Sequence, residues 1–508
     1  MARLSALAAA ALLCTVAGSV AVAQSPVRLS AFGSDGMSPR AQSLAALGQR
    51  LIFSTGEFGD LGRVGLWRSD GSPLTTVRIA PGIIVRSGFG DPGDSDPRPG
   101  PVVAGSLAFF VGADTSQGTA GPVGLYRTDG TPEGTFLLRQ FVDSTMISVP
   151  PRQLTAVGST VFFAVRSALW KSDGTIDGTS MVLDLGEASF AAPQGLTNVD
   201  GTLLFFSGEA FDPAVRGLYR SNGTPAGTTR IVPDLSIDLS TGATPGEGGR
   251  RPAVAGGRMF FSGRTGGLPG GGSLWTSDGT PGGTFEVASF QSGGVPVSPR
   301  GFTAVGAPDA TVYFLVGSAL WRTIGSPPLA ALVRDLGSGP DLASITAIAG
   351  LGSSAVFSVT GSTTGDLPGL WRSQGSAQST ARFVPGLYID TSANDPGYPP
   401  SKTPVEVDGR LYFTGSTDPA GAGASRALWR TDGTLVGTVE VARFQDPLLP
   451  GEQSPDSYVS AGRRFYFRAG ADVYLFNSQE CRSDFNGDGN IDPDDLADFI
   501  ALYFSPCP

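Results

Sequence analysis

The sequence contains no histidine, only two lysines and three cysteines, and only 16% of its residues are charged. The absence of histidine excludes Ser-His and Cys-His catalytic pairs and histidine-bound metals. No stretch of the chain concentrates enough basic residues to neutralise a row of phosphates, so we expect no nucleic-acid partner.

Glycine and proline are abundant instead, at 73 and 39 of the 508 residues. Both residues break helices, which disfavours an all-helical protein. The chain also contains 30 Phe, 10 Tyr and 6 Trp, which are too many aromatic residues for a disordered chain. A turn-rich, all-β globular protein accounts for both features.

The first residues predict export. Arg3 precedes an apolar run that ends near Val20, and the small residues Ala21 and Ala23 form a cleavage signal before Gln24. A transmembrane anchor, the alternative, requires about 20 apolar residues. We therefore predict that residues 1–23 are a signal peptide and that the mature protein is secreted without a transmembrane anchor.

One short segment recurs along the chain. In its fullest form a leucine and an aromatic residue lead into the polar pattern SDGTxxGT, as in LWKSDGTIDGT at 169–179. Eight copies are followed by a truncated ninth, LFNS at 475–478. The aromatic position is occupied by Trp67, Tyr126, Trp170, Tyr219, Trp275, Trp321, Trp371, Trp429 and Phe476, which include every tryptophan of the chain.

Each copy follows a hairpin pattern, such as VDGTLLFFSG at 199–208. Four short strands in roughly 50 residues are typical of a β-propeller blade. We expect the aromatic residue to pack between neighbouring blades and the turn Asp to accept hydrogen bonds from amides of its own turn. A parallel β-helix, the alternative, has shorter coils without hairpin turns.

The spacing of the copies predicts the number of blades. Successive aromatic positions are separated by 59, 44, 49, 56, 46, 50, 58 and 47 residues, a series of long, short and medium intervals. We infer a three-blade cassette that is triplicated, hence a single propeller of about nine four-stranded blades over residues 24–478. Residues 27–34 resemble the fourth strands of other units and should complete the last blade. Nine exceeds the usual four to eight blades, so displacement of one unit is the alternative.

Strand alternation assigns the connections of each blade to two faces. The tight glycine turns and the SDGT turns lie on one face, and the connections between strands two and three and between blades lie on the other. The longest connections, 83–100, 235–252 and 387–403, all fall on this second face. Loops of this length are often functional, although decoration of the rim is an equally good explanation.

The repeats resemble the ELW-x-SDGT-x-x-GT (hyalin-like) repeats of exported bacterial proteins. The turn is also similar to the Asp-box of sialidase-like propellers, where it is structural and distant from the chemistry. A paired-carboxylate glycosidase needs only two acids at a suitable distance, so that activity stays open as an alternative.

The C-terminal residues 479–508 contain an EF-hand-like loop, DFNGDGNIDPDD at 484–495. Six Asp against Arg482 give residues 481–508 a charge of −5, half of the formal −10 of the chain. Oxygen-only ligands favour a hard cation, so we predict a Ca²⁺ site. Its candidate ligands are Asp484, Asn486, Asp488, Asn490 through its carbonyl, Asp492 and Asp495.

A helix should begin at Pro493, with Leu496, Phe499, Ile500 and Tyr503 on one face. Loop and helix together resemble one repeat of a type I dockerin, which implies a cohesin-like or cell-surface docking partner. The two cysteines outside the signal peptide, Cys481 and Cys507, bracket this small calcium-loop and helix module, and in an exported chain they suggest one disulfide.

These features together predict a secreted or cell-surface, non-enzymatic propeller that binds an extracellular protein or glycan and is anchored by a calcium-binding tail. A secreted carbohydrate-active enzyme and a structural surface-layer component are the alternatives.

Overall fold

The computed structural model describes residues 26–30, 41–56, 64–85, 100–115, 121, 123–142, 148–186, 192–207, 213–238, 251–266, 272–306, 311–336, 344–361, 368–390, 402–417, 426–445, 452–461 and 464–477. These residues form nine antiparallel sheets of four strands in radial order, the architecture of a β-propeller. The prediction of nine blades in three cassettes is confirmed, and no unit is displaced within the described residues.

The first cassette follows a short strand, β1 Val27–Arg28, that belongs to the last blade. Blade 1 comprises β2 Ala41–Leu47, β3 Arg50–Thr55, β4 Gly65–Ser69 and β5 Val77–Pro81, with a 3-10 helix at Pro73–Thr75. Blade 2 comprises β6 Ile83–Val85, β7 Val102–Ala104, β8 Leu107–Asp114, β9 Gly124–Thr128 and β10 Phe136–Gln140. Blade 3 comprises β11 Arg152–Val157, β12 Thr160–Val165, β13 Ala168–Ser172 and β14 Ser180–Asp184.

The second cassette repeats this plan. Blade 4 comprises β15 Gln194–Val199, β16 Thr202–Phe206, β17 Gly217–Ser221 and β18 Thr229–Pro233. Blade 5 comprises β19 Leu235–Ile237, β20 Ala253–Ala255, β21 Arg258–Thr265, β22 Ser273–Ser277 and β23 Phe285–Ala288, followed by a small hairpin, β24 Gln291–Ser292 and β25 Val295–Pro296. Blade 6 comprises β26 Arg300–Val305, β27 Thr311–Val316, β28 Ala319–Ile324 and β29 Leu329–Asp335.

The third cassette completes the ring. Blade 7 comprises β30 Ser344–Leu351, β31 Ser354–Thr360, β32 Gly369–Ser373 and β33 Thr380–Pro385. Blade 8 comprises β34 Tyr388–Ile389, β35 Val405–Val407, β36 Arg410–Ser416, β37 Arg426–Thr431 and β38 Val439–Ala442, followed by the hairpin β39 Phe444–Gln445 and β40 Glu452–Gln453. Blade 9 comprises β41 Pro455–Ala461, β42 Arg464–Ala469, β43 Asp472–Asn477 and β1.

The ring closes with a strand from each end of the chain. β1 pairs antiparallel with β43, with Val27 opposite Leu475 and Arg28 opposite Tyr474. The amide of Leu29 donates to the carbonyl of Val473 at 2.8 Å, and the Leu29 side chain is buried. The predicted closure by the segment 27–34 is therefore confirmed for 27–30, while 31–34 lie outside the described residues.

Hydrophobic cores lie between the blades. Within the described residues, nine apolar clusters occupy the nine interfaces between consecutive blades. Each cluster contains one motif aromatic residue; Trp371 of blade 7, for example, packs against blade 6 and stacks on Phe357 at a centroid distance of 6.2 Å. The expected role of the aromatic position is confirmed, because each ring buries its area against the preceding blade.

Candidate functional site

The four-stranded blades divide the connections between two faces, which we name by their loops. The turn face carries the hairpins between strands one and two and the SDGT turns between strands three and four. We count among the loop-face connections those between strands two and three, those between blades, and the segments inserted into the first strands of blades 2, 5 and 8.

The SDGT turns are held by their own side chains. In blade 2, the amide and the hydroxyl of Thr131 both donate to Oδ1 of Asp129, at 2.8 and 2.6 Å, and the amide of Gly130 donates to the hydroxyl of Thr128 at 2.9 Å. The hydrogen bond from the Thr131 hydroxyl holds the pKa of Asp129 below its ordinary value. Gly130 has a φ of +86°, a conformation that side chains with a Cβ rarely adopt. The predicted hydrogen bonds of the turn Asp are thus confirmed, and their role is structural.

Neighbouring turns are also tied to each other. The arginine after the motif aromatic reaches the next blade, so that Arg68 donates to the carbonyl of Gly130 at 3.1 Å and Arg127 to that of Gly174 at 3.0 Å. Across the seam, Arg464 donates to the carbonyl of Asp70 at 2.6 Å. Sequence reasoning did not identify these contacts, although the repeated Arg beside the aromatic residue was the available signal.

The three longest connections of the loop face leave from inside the first strand of a blade. In blade 2 this strand is split into β6 and β7, which pair with opposite halves of β8 and are joined by residues 86–101. Blades 5 and 8 are split in the same way. The expected connections 83–100, 235–252 and 387–403 thus each begin with the first half of an inner strand, and the inserted residues follow it.

The unsplit first strands carry a register irregularity where the others are interrupted. In blades 1, 3, 4, 6, 7 and 9 the pairing of strands one and two shifts by a bulge. The bulged residues Ser43, Gln153 and Ser457 have a φ between +52° and +56°. First strands of neighbouring blades contact one another, so these irregularities lie on the inside of the ring. Bulges are frequent beside functional sites because they re-aim side chains.

The two faces differ in aromatic residues. Between the strand bounds above, the turn-face connections of the nine blades contain no Phe, Tyr or Trp. Loop-face connections contain several, of which Phe141, Phe290 and Phe444 are buried against blades 3, 6 and 9. The others belong to segments outside the described residues: Phe32, Phe58, Phe89, Phe190, Phe211 and Tyr398.

A buried charge cluster lies on the loop face between blades 8 and 9. Asp390 follows β34 and Lys402 precedes β35, so the two residues flank the inserted segment 391–401. The Lys402 Nζ lies 2.8 Å from Asp390 Oδ2, and the Nε of Arg426 lies 2.9 Å from the same oxygen. Both side chains of the Lys402–Asp390 pair are almost fully buried, at 2% and 6% exposure.

A second ion pair in the same junction comes from blade 9. Arg468 donates to both carboxylate oxygens of Asp456 at 2.7 Å, a bidentate arrangement. Tyr458, two residues further along β41, shares a hydrogen bond with the Thr414 hydroxyl, and burial raises its pKa well above the ordinary value. The side chains of this cluster come from six separate segments, so no local sequence pattern predicted their contact.

The corresponding junction of the second cassette places a different group beside the carboxylate. Asp238 follows β19 as Asp390 follows β34, and the backbone amides of Asp238 and Asp390 donate to the carbonyls of Ser262 and Thr414, each at 2.8 Å. Asp238 accepts a hydrogen bond from the Ser298 hydroxyl at 3.1 Å. The lysine contact of Asp390 therefore distinguishes the third cassette from the second, whose sequence contains no lysine.

Both acids of the cluster contact cationic side chains. Asp390 Oδ2 lies 2.9 Å from the Nε of Arg426, and Asp456 Oδ1 lies 2.7 Å from the Nε of Arg468. The contact of Asp390 with Lys402 also links the two residues that flank the inserted segment 391–401.

The predicted metal and disulfide residues lie outside the described residues. These are Asp484, Asn486, Asp488, Asn490, Asp492, Asp495, Cys481 and Cys507, together with the signal peptide 1–23. Within the described ranges, no group of three or more His, Cys, Asp or Glu residues is arranged to hold a metal ion. No helix among those residues is long and apolar enough to cross a membrane.

No protein-family model and no curated protein matches the chain. Dipeptidyl peptidase 4 of Porphyromonas gingivalis is similar with 12% identity and a TM-score of 0.39, covering 90% of this chain and 61% of its own. Virginiamycin B lyase of Staphylococcus aureus has 14% identity and a TM-score of 0.30, covering 66% of this chain and 97% of its own.

The β-propeller domain of the Trilobed protease of Pyrococcus furiosus has 10% identity and a TM-score of 0.30, covering 66% of this chain and 95% of its own. At these TM-scores the activities of the three proteins say nothing about this chain, and its description as a propeller rests on its own nine sheets.

Proposed function

We propose that the chain is a secreted or cell-surface, non-enzymatic propeller that binds an extracellular protein or glycan on its loop face. The observation that carries the proposal is the chemical difference between the faces. Turn-face connections repeat one self-bonded motif and lack aromatic residues, whereas loop-face connections vary in length and contain Phe and Tyr residues. Aromatic side chains are the groups that most often anchor a partner, because they bury a large area at a small entropic cost.

Asp390 and Asp456 are both engaged by Lys or Arg side chains, which supports binding without turnover. A secreted carbohydrate-active enzyme would need one acid with a raised pKa and a second acid opposite it across the substrate. A structural surface-layer component would need neither and would bind no soluble ligand.

A glycan and protein-ligand array probed with the full chain tests the proposal. Saturable binding without turnover is the expected result. Product formation from any glycan would establish the enzyme alternative, and the absence of any ligand would favour the surface-layer alternative.

Matched variants then assign the face. We expect Phe89→Ala and Tyr398→Ala on the loop face to weaken binding roughly tenfold or more, since loss of an aromatic anchor costs more than about 1 kcal/mol. Leu74→Ala and Leu435→Ala remove exposed apolar side chains of the turn face and should leave the Kd unchanged. Loss of binding in the turn-face pair alone would show that the faces are assigned in reverse.

We further propose that residues 479–508 bind Ca²⁺ and attach the propeller to a cohesin-like or cell-surface partner. The support is the spacing of Asp484, Asp488, Asp492 and Asp495, which places four negative charges in one short loop and is unfavourable without a cation. Calorimetric titration of the full chain should show one calcium site that Asp484→Ala or Asp495→Ala removes.

Two neighbouring acids are the matched controls for this titration. Asp494 and Asp498 fall outside the ligand positions, so Asp494→Ala and Asp498→Ala should retain calcium binding. Magnesium should bind poorly, because its octahedral shell suits a seven-oxygen loop badly. Equal weakening by all four substitutions would reduce the motif to a generic acidic tail.

A further inference from the structure

Lys402 stands out because lysine is nearly absent from the chain. Of the 35 basic residues only Lys171 and Lys402 are lysines. The side chain of Lys402 is only 2% exposed. Lysine is almost never fully buried unless it is paired. Its Nζ lies 2.8 Å from Oδ2 of Asp390, a carboxylate that is itself 6% exposed.

The surroundings of this pair disfavour separated charges. Burial lowers the pKa of the Lys402 amine, against the opposing effect of the Asp390 carboxylate. Transfer of the ammonium proton to the carboxylate would leave a neutral amine beside a neutral acid, the combination that a dry site tolerates best. The amine would then lie 2.8 Å from a carboxyl oxygen, one C–O bond away from the carbon that it would attack.

We propose that Lys402 and Asp390 become joined by an amide bond between Nζ and Cγ. In this step the N–C bond forms and one C–O bond of the carboxyl breaks. The nitrogen of the ammonium gives up two protons, the carboxylate gives up one oxygen, and these atoms leave as one water molecule. The atoms and charges balance without an oxidant, a reductant or a cofactor.

Arg426 is placed to assist the reaction. Its Nε lies 2.9 Å from Asp390 Oδ2, so its positive charge faces the oxygen that becomes negative in the tetrahedral intermediate. After water has left, the same guanidinium faces the amide carbonyl. Formation of the amide also replaces a buried ion pair by a neutral group. Two buried charges have a desolvation cost that a neutral amide does not have.

The bond would have a structural consequence for the loop face. Asp390 and Lys402 flank residues 391–401, so the amide would close the base of this connection into a covalent ring. The split first strand of blade 8 would then be fixed on both sides of its insertion. This proposal stands apart from the proposed ligand binding, because it can be tested without a ligand.

The second cassette provides an internal comparison. Asp238 occupies the place of Asp390, and its carboxylate accepts a hydrogen bond from the Ser298 hydroxyl at 3.1 Å. Blade 5 contains no lysine, so it should remain uncrosslinked.

Mass spectrometry of the denatured, trypsin-digested full chain tests the proposal. Cleavage after Lys402 should fail, and the peptide 383–410 should be lighter than its sequence by one water, with no fragment ions from within 391–401. Lys402→Arg keeps the positive charge but cannot form the amide, and Asp390→Ala removes the carboxyl; both should restore the sequence mass of this segment.

Lys171→Arg changes the other lysine and should keep the loss of water at 383–410. Retention of that loss in Lys402→Arg would assign it to a cyclised aspartate and overturn the proposal. A wild-type peptide of full sequence mass, cut normally after Lys402, would also overturn it, whatever the folding of the variants.

Discussion

The turn face and the loop face of the ring use their polar residues in different ways. On the turn face, seven turns repeat one arrangement, in which a glycine amide donates to the Ser or Thr two residues earlier. On the loop face, equivalent positions of the cassettes carry different groups, as Asp238 with Ser298 and Asp390 with Lys402 show. The repeated hydrogen bonds of the turn face belong to the scaffold, whereas the side chains of the loop face differ between cassettes and can acquire separate roles.

The comparison also separates local from long-range polar contacts. The turn of blade 2 makes its side-chain hydrogen bonds mostly within residues 128–135, and Arg68 of blade 1 adds one to the Gly130 carbonyl. The charge cluster joins blades 8 and 9, and Arg468 also donates to the carbonyl of Ala41 in blade 1 at 3.2 Å. Failure of a turn should therefore stay local, whereas failure of the cluster should loosen a junction between blades.

The largest effect on stability is expected from opening the ring between β1 and β43, because both faces depend on the closed ring. A chain that begins at Pro39 lacks β1, the buried Leu29 and the ion pair of Arg28 with Asp472 at 2.5 Å. Its free energy of unfolding should fall by more than about 3 kcal/mol, the typical cost of losing one buried leucine alone. Urea denaturation is the measurement, with Val27→Ala, at an exposed position, as the control. An unchanged midpoint would mean that the seam contributes nothing to stability.

A large effect is also expected in the loop-face cluster. Asp456→Ala leaves the buried Arg468 guanidinium without its bidentate partner, which should cost about 3–5 kcal/mol. The exposed pair of Arg443 with Glu440 is the control, since Arg443→Ala should cost at most about 1 kcal/mol. Chemical denaturation compares the two variants.

A double variant sharpens this test. Asp456→Leu combined with Arg468→Met removes both charges and should recover part of the lost stability, as for other buried pairs replaced by apolar residues. If the double variant is as unstable as Asp456→Ala, the cluster acts through shape rather than charge.

A smaller effect is expected on the turn face. Asp129→Ala removes the acceptor of two Thr131 hydrogen bonds and should cost about 1 kcal/mol, as the loss of a cap does. Asp129→Asn should cost less, because Asn222 makes the same bonds in blade 4. Ligand binding should survive in both variants, and its loss in a stable variant would contradict the structural role of the turn.

The pH dependence of Asp129→Ala is the smallest effect. The pKa of Asp129 is lowered in the folded protein, so its contribution is present above the unfolded-state pKa and is lost as the pH falls through the folded-state pKa. The difference in unfolding free energy between wild type and variant should therefore shrink below about pH 4. Because the carboxylate is partly exposed to solvent, the change should be modest. A difference that grows on acidification would contradict the assigned hydrogen bonds.

The fold was largely predictable because its signals are local and repeated. The aromatic position, the hairpin glycines and the SDGT turn each depend on neighbours within a few residues, and nine copies reinforce one another. Even ring closure followed from comparing residues 27–34 with other fourth strands. A period of three blades in the spacing then indicated the cassettes.

The candidate site was predictable only in outline. Variable length indicated the loop face, but no pattern connected Lys402 with Arg426, or Asp456 with either of them. Their meeting depends on the split strand of blade 8 and on the bulge at Ser457, which has a φ of +56°. Both are features of strand pairing within a blade, and the local sequence does not specify them.

By itself the sequence determined the strands, the turns, the cassette and the aromatic packing, because short-range stereochemistry and apolar periodicity specify them. Only the tertiary structure decided where the long connections leave the ring and which charges become neighbours. Asp390 meets Arg426 through the strand pairing of blade 8, and Asp456 meets Arg468 through that of blade 9, although these residues are not neighbours in the chain. The packing of blade 8 against blade 9 then removes both pairs from water.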